Sequence, residues 1–372
     1  MAKQQIDWIT TDVPGIIFEN TEVGRLKKEV WDMNEEQIDK VLEEYGIPAE
    51  SELGKAGSYI QNTPRAQLIE KRRKNDIVFV PIGCTENHGL HANSGLDTFM
   101  CTQILEGVRR CTAKKGREVN LAFPPLNYGG HPYHHIGMPG TINIPHEVVA
   151  EMLIYTMIGL WNDGFRKIIL VNNHGHLWML ESAIQEFCKR FQLPGIFRTL
   201  EWHRAVREFF IPHNKPDSLD TTFIHADECE TSVALLLFKD MVDMSSAQDK
   251  WGEALLPDGH FDKSVEPLRR PHRWSEGEGH ASIEMASNRE GVVGTPTISD
   301  ARKAKRPIAA ILKYLTLLND QILDAFPAGK VPPVEKTTLR TEEEMVPYLK
   351  EPFSDGWKSV YDIPMRGVFT KL

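Results

Sequence analysis

From residue 76 to about residue 241 the chain alternates short apolar runs with segments of helix length, and this limits the folds open to it. Runs such as IVFVPIG (77–83) and KIILVNN (167–173) are rich in β-branched residues, as buried strands are. Strands that are separated by helices imply a mainly parallel sheet covered on both faces. The predicted fold class is therefore α/β, with three layers in the order α/β/α.

Two segments of different character flank this region. The N-terminal segment is charged and contains one amphipathic helix pattern over residues 21–46, which ends at Gly46. The C-terminal segment is rich in Pro and Glu, and we expect it to wrap the surface. The predicted division is an N-terminal helical extension (1–75), an α/β domain (76–326) and a C-terminal tail (327–372).

Charge and hydropathy exclude several classes of protein. A formal net charge of −9 argues against binding to a nucleic-acid backbone. No GxGxxG or GxxxxGK[ST] motif follows a predicted strand, so a nucleotide-binding module has little support. The most apolar helical segment, residues 148–161, is interrupted by Glu151 and is too short to span a bilayer. The N-terminus lacks the apolar stretch of a signal peptide, so we expect a cytoplasmic protein without membrane partners.

The cysteines are five in number and include no CxxC pair. An odd number at such spacing indicates neither a disulfide framework nor a zinc site made of thiolates. The five are Cys84, Cys101, Cys111, Cys188 and Cys229.

The first cluster of polar residues, CTENHGLHANSGLD (84–97), directly follows a predicted strand. Residues i and i+2 of an extended segment point the same way, so Glu86 and His88 can face one ion, and Asp97 can return to the same point. Carboxylate and imidazole ligands suit Zn, Mn or Fe. A polar turn explains a single Glu-x-His pair equally well, because such pairs are common by chance.

Further clusters occur where other predicted elements begin or end. His174 and His176 follow the strand KIILVNN, at the edge of a parallel sheet where ligands bind. Acidic residues also begin the apolar helix near residue 228, where they gain from the helix dipole. Capping explains one or two of these acids, but it explains the adjacent histidine less readily. This cluster consists of His225, Asp227, Glu228 and Glu230.

A fourth segment, YGGHPYHHIGMPGTINIP (128–145), contains His131, His134 and His135 before a Met-Pro-Gly-Thr turn. Its glycines and prolines predict a rigid loop with exposed backbone amides. Four clusters of Gly, His and acidic residues near strand ends are hard to attribute to chance. Together they predict a carboxylate-bridged metal hydrolase.

The order and spacing of these motifs resemble those of the creatininase family. The first cluster resembles the family's Glu-x-His-Gly-x-His element, with an Asp nine residues after the first His. The other matching segments are NNHGH (172–176), HADECETS (225–232), HHIGMPGTI (134–142) and EGVVGTPTISDARKAK (290–305). The resemblance runs from residue 76 to about residue 318, and it implies a layered α/β hydrolase acting on small cyclic or amide-like substrates.

The resemblance implies two divalent metal ions per subunit, of Zn, Mn or Fe. Carried over by position, the first ion would be held by Glu86, Asp97 and His174, and the second by His88, Asp97 and Glu228. Two ions about 4 Å apart can hold a hydroxide and polarise a carbonyl at once. His176 occupies the place of a Glu that binds the second ion in some members. We favour Glu228 over His176, because a carboxylate neutralises the cations better than a third imidazole does.

Further roles follow from the same resemblance. His225 matches a position that acts as general acid or base, and Glu228 and His176 are expected beside it in catalysis. The predicted substrate contacts are His135, Gly140, Thr141, Trp178 and Trp202.

The length of the chain and its GGHPYHHIGMPGT loop most resemble the family members that open a diketo-inositol ring in inositol catabolism. This implies hydrolysis of a C–C bond. The alternatives are an amidohydrolase that cleaves a C–N bond of a cyclic amide or formamide, and a non-catalytic metal-binding protein on the same fold. The partners implied are a small-molecule substrate and further copies of the chain in a homo-oligomer, with a hexamer as one arrangement.

Overall fold

The computed structural model describes residues 7–124, 127–130, 137–221, 223–251 and 291–364. The strands are β1 (Trp8–Thr10), β2 (Ile17–Glu19), β3 (Ile77–Ile82), β4 (Asn120–Leu121), β5 (Lys167–Asn172) and β6 (Ile196–Glu201). The helices are α1 (Glu22–Asp32), α2 (Glu35–Tyr45), α3 (Arg65–Lys74), α4 (Leu96–Lys114), α5 (His146–Asn162), α6 (Leu177–Phe191), α7 (Trp202–Ala205), α8 (Glu228–Phe238), α9 (Ala301–Ala325), α10 (Val334–Thr337) and α11 (Glu342–Leu349). None of the helices in these segments has the length and hydrophobicity needed to cross a membrane.

A four-stranded parallel sheet forms the centre of the molecule, in the order β4-β3-β5-β6. In this register Ile82 lies opposite Asn172, and Asn172 lies opposite Glu201. The three longer strands therefore end side by side at one edge of the sheet. The residues that follow them are brought together at that edge.

Helices cover both faces of the sheet. Because side chains alternate along a strand, Ile77 and Phe79 of β3 pack with α4, α8 and α9, whereas Val78 and Val80 pack with α5 and α6. Every residue of β3 and β5 is buried, as expected for parallel strands covered on both sides. The three-layer α/β/α fold class is confirmed.

The prediction of a single helix over residues 21–46 is wrong, because the segment forms two helices. Helix α1 ends at Asp32, and Asn34 begins α2 as its N-cap. The Asn34 side chain accepts from the Gln37 backbone N–H, and the Gln37 side chain accepts from the Asn34 N–H, both at 2.9 Å. This reciprocal capping stabilises a new helix start. Gly46 ends α2 in the left-handed conformation at φ 67°, as predicted.

Both flanking segments contribute side chains to the hydrophobic core. Val30 and Trp31 of α1 are fully buried on the face of the sheet covered by α4 and α9. Met345 and Val360 of the C-terminal segment are buried on the face covered by α5 and α6. These segments complete the outer layers, and the predicted divisions after residues 75 and 326 stay predictions.

Candidate metal centre

Four side chains from the predicted clusters meet at the carboxyl edge of the sheet. Glu86 and His88 lie in the loop after β3, Asp97 lies in the first turn of α4, and His174 follows β5. Each is exposed by no more than 4 %. Parallel strands and the register of β3 with β5 thus bring together residues that are far apart in sequence.

The first group of possible metal ligands surrounds His174. Its Nδ1 lies 2.7 Å from Glu86 Oε2 and 3.4 Å from Asp97 Oδ2. The Sγ of Cys84 lies 2.8 Å from the same Asp97 oxygen. One ligand atom from each of these four residues lies within 4.8 Å of all the others, which is close enough for a single ion.

The second group surrounds His88. Its Nε2 lies 3.5 Å from Glu230 Oε2 and 3.8 Å from Asp97 Oδ1. Asp97 therefore presents Oδ1 to His88 and Oδ2 to His174. A carboxylate with one oxygen in each group is suited to bridging two ions.

The arrangement of His88 fits a bound metal. Its Nδ1 lies 3.1 Å from the Glu86 carbonyl oxygen, so Nδ1–H donates there and Nε2 carries the lone pair. That Nε2 is buried and has no hydrogen-bond partner in the described part of the chain. An unsatisfied buried polar atom costs about 1–3 kcal/mol. Three buried carboxylates, those of Glu86, Asp97 and Glu230, converge beside it. A pair of divalent cations would bind the lone pair of Nε2 and neutralise the charge of the carboxylates.

The charges in this cluster act strongly on one another. Burial and the Asp97 carboxylate raise the pKa of Glu230 well above its usual range. Burial alone would lower the pKa of His174, but the carboxylates of Glu86 and Asp97 raise it well above its usual value. Protons and metal ions compete for the same atoms, so we expect metal affinity to fall as the pH falls.

Glu228 does not lie in the cluster. Its carboxylate accepts hydrogen bonds from the backbone N–H groups of Asp220 and Thr221, and from Lys303 Nζ at 2.5 Å. Residues two apart on an α-helix point about 200° apart, so Glu228 and Glu230 face opposite sides of α8. The expected role of Glu228 as a ligand does not fit this geometry, because the carboxylate beside His88 belongs to Glu230.

His225 lies beside both groups. Its Nε2 is 2.8 Å from the backbone oxygen of Asn87, so Nε2–H donates there and Nδ1 is the basic atom. Nδ1 lies 3.9 Å from Glu86 Oε1 and 4.0 Å from Glu230 Oε2. The position suits a proton carrier, and it is also close enough to Glu86 and His88 for a ligand.

His176 is fully buried and is the N-cap residue of α6. Its Nε2 lies 2.9 Å from Asn172 Oδ1, and its ring packs edge-on against His174 at 4.6 Å. Within the described residues it belongs to none of the groups that could hold a metal. This geometry favours a role in orienting His174.

The Met-Pro-Gly-Thr turn packs against the loop that carries Glu86 and His88. Thr141 Oγ1 accepts a hydrogen bond from the Asn87 backbone N–H at 3.0 Å. Gly140 has φ +86°, a conformation that glycine adopts at little cost. His135, the other predicted contact from this segment, lies outside the described residues.

The two tryptophans predicted to contact substrate lie in different environments. Trp178 is 48 % exposed at the start of α6. Trp202 is fully buried, and its indole N–H donates to Asn173 Oδ1, while Asn173 Nδ2 donates to Asp97 Oδ1. Trp202 therefore does not fit the wall of an open pocket, and it orients Asp97 through Asn173.

Sequence reasoning assigned no role in the metal centre to Cys84 or Asn173, and it did not place Glu230 beside His88. Two signals were present. Cys84 lies two residues before Glu86, so in an extended segment it shares the same side. Asp227 is an N-cap residue that accepts from the Glu230 N–H at 2.9 Å, which sets the helical phase of both glutamates.

Residues 62–318 match the sequence profile of the Creatininase family, described as creatinine amidohydrolase. Over 305 residues the chain is 41 % identical to a 3-dehydro-scyllo-inosose hydrolase of Thermotoga maritima, and this match covers 82 % of this chain and 96 % of that relative. Over 207 residues it is 24 % identical to creatinine amidohydrolase of Pseudomonas putida, covering 52 % of this chain and 76 % of the relative.

Solved structures of creatininases share the fold. A mutant creatininase of the Zn–Zn type superimposes with a TM-score of 0.54 at 16 % identity, covering 75 % of this chain and all of that chain. A manganese creatininase gives a TM-score of 0.53 at 16 % identity, covering 73 % of this chain and 99 % of that chain. Because the family profile matches more than half of the residues and the ligand-bearing motifs meet in space, the chain belongs to the creatininase family, a family of metal-dependent hydrolases.

Proposed function

We propose that this chain is a dinuclear metal hydrolase that opens the ring of 3-dehydro-scyllo-inosose by hydrolysis of a C–C bond. The observation that supports this choice of substrate is the 41 % identity to a 3-dehydro-scyllo-inosose hydrolase, since the match covers 96 % of that protein's length. The buried cluster of carboxylates and histidines at the carboxyl edge of the sheet supports the chemistry.

The ligand assignment follows the two groups around His174 and His88. Asp97 lies in both and would bridge the ions, with the second site completed by Glu230. Zn, Mn and Fe all suit ligands of this kind. When bound, such a pair of ions supplies an activated water and polarises a carbonyl oxygen. The proposed ligands are Glu86, Asp97 and His174 for the first ion, and His88, Asp97 and Glu230 for the second.

The proton transfers are assigned to His225. In the hydrolysis of a cyclic diketone, the oxygen of water joins one carbonyl carbon and the ring C–C bond beside it breaks. The electron pair of that bond stays on the departing carbon, which must gain a proton. The Asn87 carbonyl fixes the Nε2–H of His225, so its Nδ1 takes the proton from water and delivers it to that carbon.

Hydroxyl groups of the ring require polar contacts. Thr141 Oγ1 accepts from the Asn87 backbone, so its own proton remains for the substrate. We assign substrate contacts to Gly140 and Thr141, and keep His135 and the exposed indole of Trp178 as further contacts. Trp202 is assigned to orienting Asp97.

An assay of the purified protein tests this function. We expect the protein loaded with Zn²⁺, Mn²⁺ or Fe²⁺ to open 3-dehydro-scyllo-inosose and to have little activity on creatinine and other cyclic amides. Treatment with a chelator should abolish turnover, and the same metal should restore it, because the ions supply the activated water. Hydrolysis of cyclic amides without activity on the diketone would favour the amidohydrolase alternative. Absence of bound metal would argue against both.

We further propose that the chain acts as a homo-oligomer through the outer face of α5. Val148, Met152 and Tyr155 are spaced to share one face of this helix, and they are 46 %, 44 % and 55 % exposed. Tyr361 continues the apolar surface, with its ring 6.4 Å from that of Tyr155. Contiguous apolar surface of this kind is typical of an interface between proteins.

Met152→Glu should convert the oligomer into smaller species, because a charge in an apolar interface is left without a partner. Light scattering after gel filtration measures the change. Met241→Glu is a matched control, since Met241 is 45 % exposed but lies beyond α8. A monomeric wild-type protein, or dissociation caused by Met241→Glu alone, would contradict the proposed interface.

A further inference from the structure

A thiol lies inside the first group of proposed metal ligands. Cys84 follows β3 by two residues and is fully buried. Its Sγ lies 2.8 Å from Asp97 Oδ2 and 3.7 Å from Glu86 Oε2. The spacing of the cysteines along the sequence did not predict a thiolate ligand, because Asp97 and His174 reach this group from a different helix and a different strand.

The packing at the end of β3 directs this thiol into the site. Cys84 and Glu86 are two residues apart in an extended segment, so their side chains share one side. A Cβ atom at Gly83 would collide with the backbone of Thr98, so glycine there allows the start of α4 to approach β3 closely. This approach brings Asp97, the neighbour of Thr98, against the Cys84 sulfur.

Two of the distances in this group match those between the ligands of a tetrahedral ion. Zinc in proteins is mostly tetrahedral, with Zn–S of about 2.3 Å and Zn–N or Zn–O of about 2.0–2.2 Å. Ligand atoms around such an ion lie roughly 3.3–3.7 Å apart. The separations from His174 to Asp97 and from Cys84 to Glu86 are 3.4 and 3.7 Å, within this range. Those from His174 to Glu86 and from Cys84 to Asp97 are 2.7 and 2.8 Å, and an ion entering between these atoms would lengthen them. Cys84 therefore lies where it can bind the same ion as Glu86, Asp97 and His174.

We propose that Cys84 is a thiolate ligand of the first metal ion and makes this site selective for a thiophilic divalent ion, Zn²⁺ or Co²⁺, over Mn²⁺. The inference rests on the proposed metal centre. On coordination the metal–sulfur bond forms and the thiol proton passes to the solvent. The second site has only nitrogen and oxygen ligands, which accept Mn²⁺ as well. The two sites therefore differ in the metals they prefer.

The other role open to Cys84 is to donate its S–H to Asp97 without touching the ion. The two roles differ in whether a metal–sulfur bond exists, and spectroscopy of the full-length protein loaded with Co²⁺ detects that bond. We expect a thiolate-to-cobalt charge-transfer band in the near ultraviolet. X-ray absorption of the zinc-loaded protein should show one sulfur neighbour at about 2.3 Å.

Cys84→Ser should abolish the charge-transfer band and keep the bound cobalt. Cys101→Ser is the matched control, because Cys101 is also fully buried near the end of β3, where its thiol lies against the Ile82 backbone, outside the ligand groups of the described residues. This control should keep the band. In competition between Zn²⁺ and Mn²⁺, Cys84→Ser should reduce the preference of the first site for Zn²⁺ by at least about tenfold.

A wild-type protein that binds cobalt without a charge-transfer band, and zinc without a sulfur neighbour, would overturn the role of Cys84 and leave the metal centre standing. A wild-type protein that binds no divalent metal would overturn the metal centre itself and this inference with it. The spectra of the wild-type protein decide the matter even if the Cys84→Ser variant does not fold.

Discussion

Glu230→Gln should reduce the bound metal from two ions to one and lower turnover by about 10²–10³-fold. The substitution removes the anionic ligand that lies 3.5 Å from His88 Nε2, while the group around His174 stays complete. Loss of one group that stabilises the developing charge has about this effect on kcat. Elemental analysis of the purified variant, followed by the ring-opening assay, measures both quantities.

Glu228→Gln is the matched control on the same helix. Its carboxylate is held by Asp220, Thr221 and Lys303, so the change should lower the free energy of unfolding by about 1–3 kcal/mol and keep both ions. Thermal unfolding of the metal-loaded protein measures the loss. If Glu228→Gln released the second ion and Glu230→Gln kept it, the assignment from the resemblance would be restored.

His225→Asn should lower turnover by roughly two to four orders of magnitude, with both ions retained and substrate affinity near that of the wild-type protein. This is the usual scale for a general acid–base group. The amide of asparagine cannot accept and return a proton as Nδ1 of the imidazole does. Steady-state kinetics give kcat and KM separately, and elemental analysis gives the metal content.

His213→Asn controls for the loss of a half-buried imidazole. His213 packs edge-on against Trp31 at 4.9 Å, on the side of the molecule formed by the N-terminal extension, and burial lowers its pKa to about 4. This variant should keep the turnover of the wild-type protein. Release of a metal ion by His225→Asn would instead make His225 a ligand, and unchanged turnover would remove it from the mechanism.

Much of the centre could be predicted from sequence because its parts are local. Glu86, His88 and His174 directly follow buried apolar strands, and parallel strands in register present such residues at one edge. The strands themselves were recognisable because they are covered on both faces and are therefore continuously apolar. The order of the motifs along the chain then indicated the creatininase family.

Local patterns were insufficient where a side chain's surroundings come from distant segments. Motif alignment favoured Glu228, but Lys303 from α9 binds its carboxylate on the far side of α8 and leaves Glu230 facing His88. Aromatic residues near a site often line its pocket, and this is why Trp202 was expected to contact the substrate. Trp202 is buried because Phe210 and Phe223 pack around it.

The sequence by itself therefore determined the alternation of strands and helices, the layers they form and the residues that reach the carboxyl edge of the sheet. These properties depend on periodicity and on neighbours within a few residues. Only the tertiary structure decided which acid of α8 enters the cluster, what Trp202 contacts and how Cys84 reaches Asp97. Each of these depends on the rotation of one packed element against another, which hydrophobic packing between distant segments sets and local sequence does not encode.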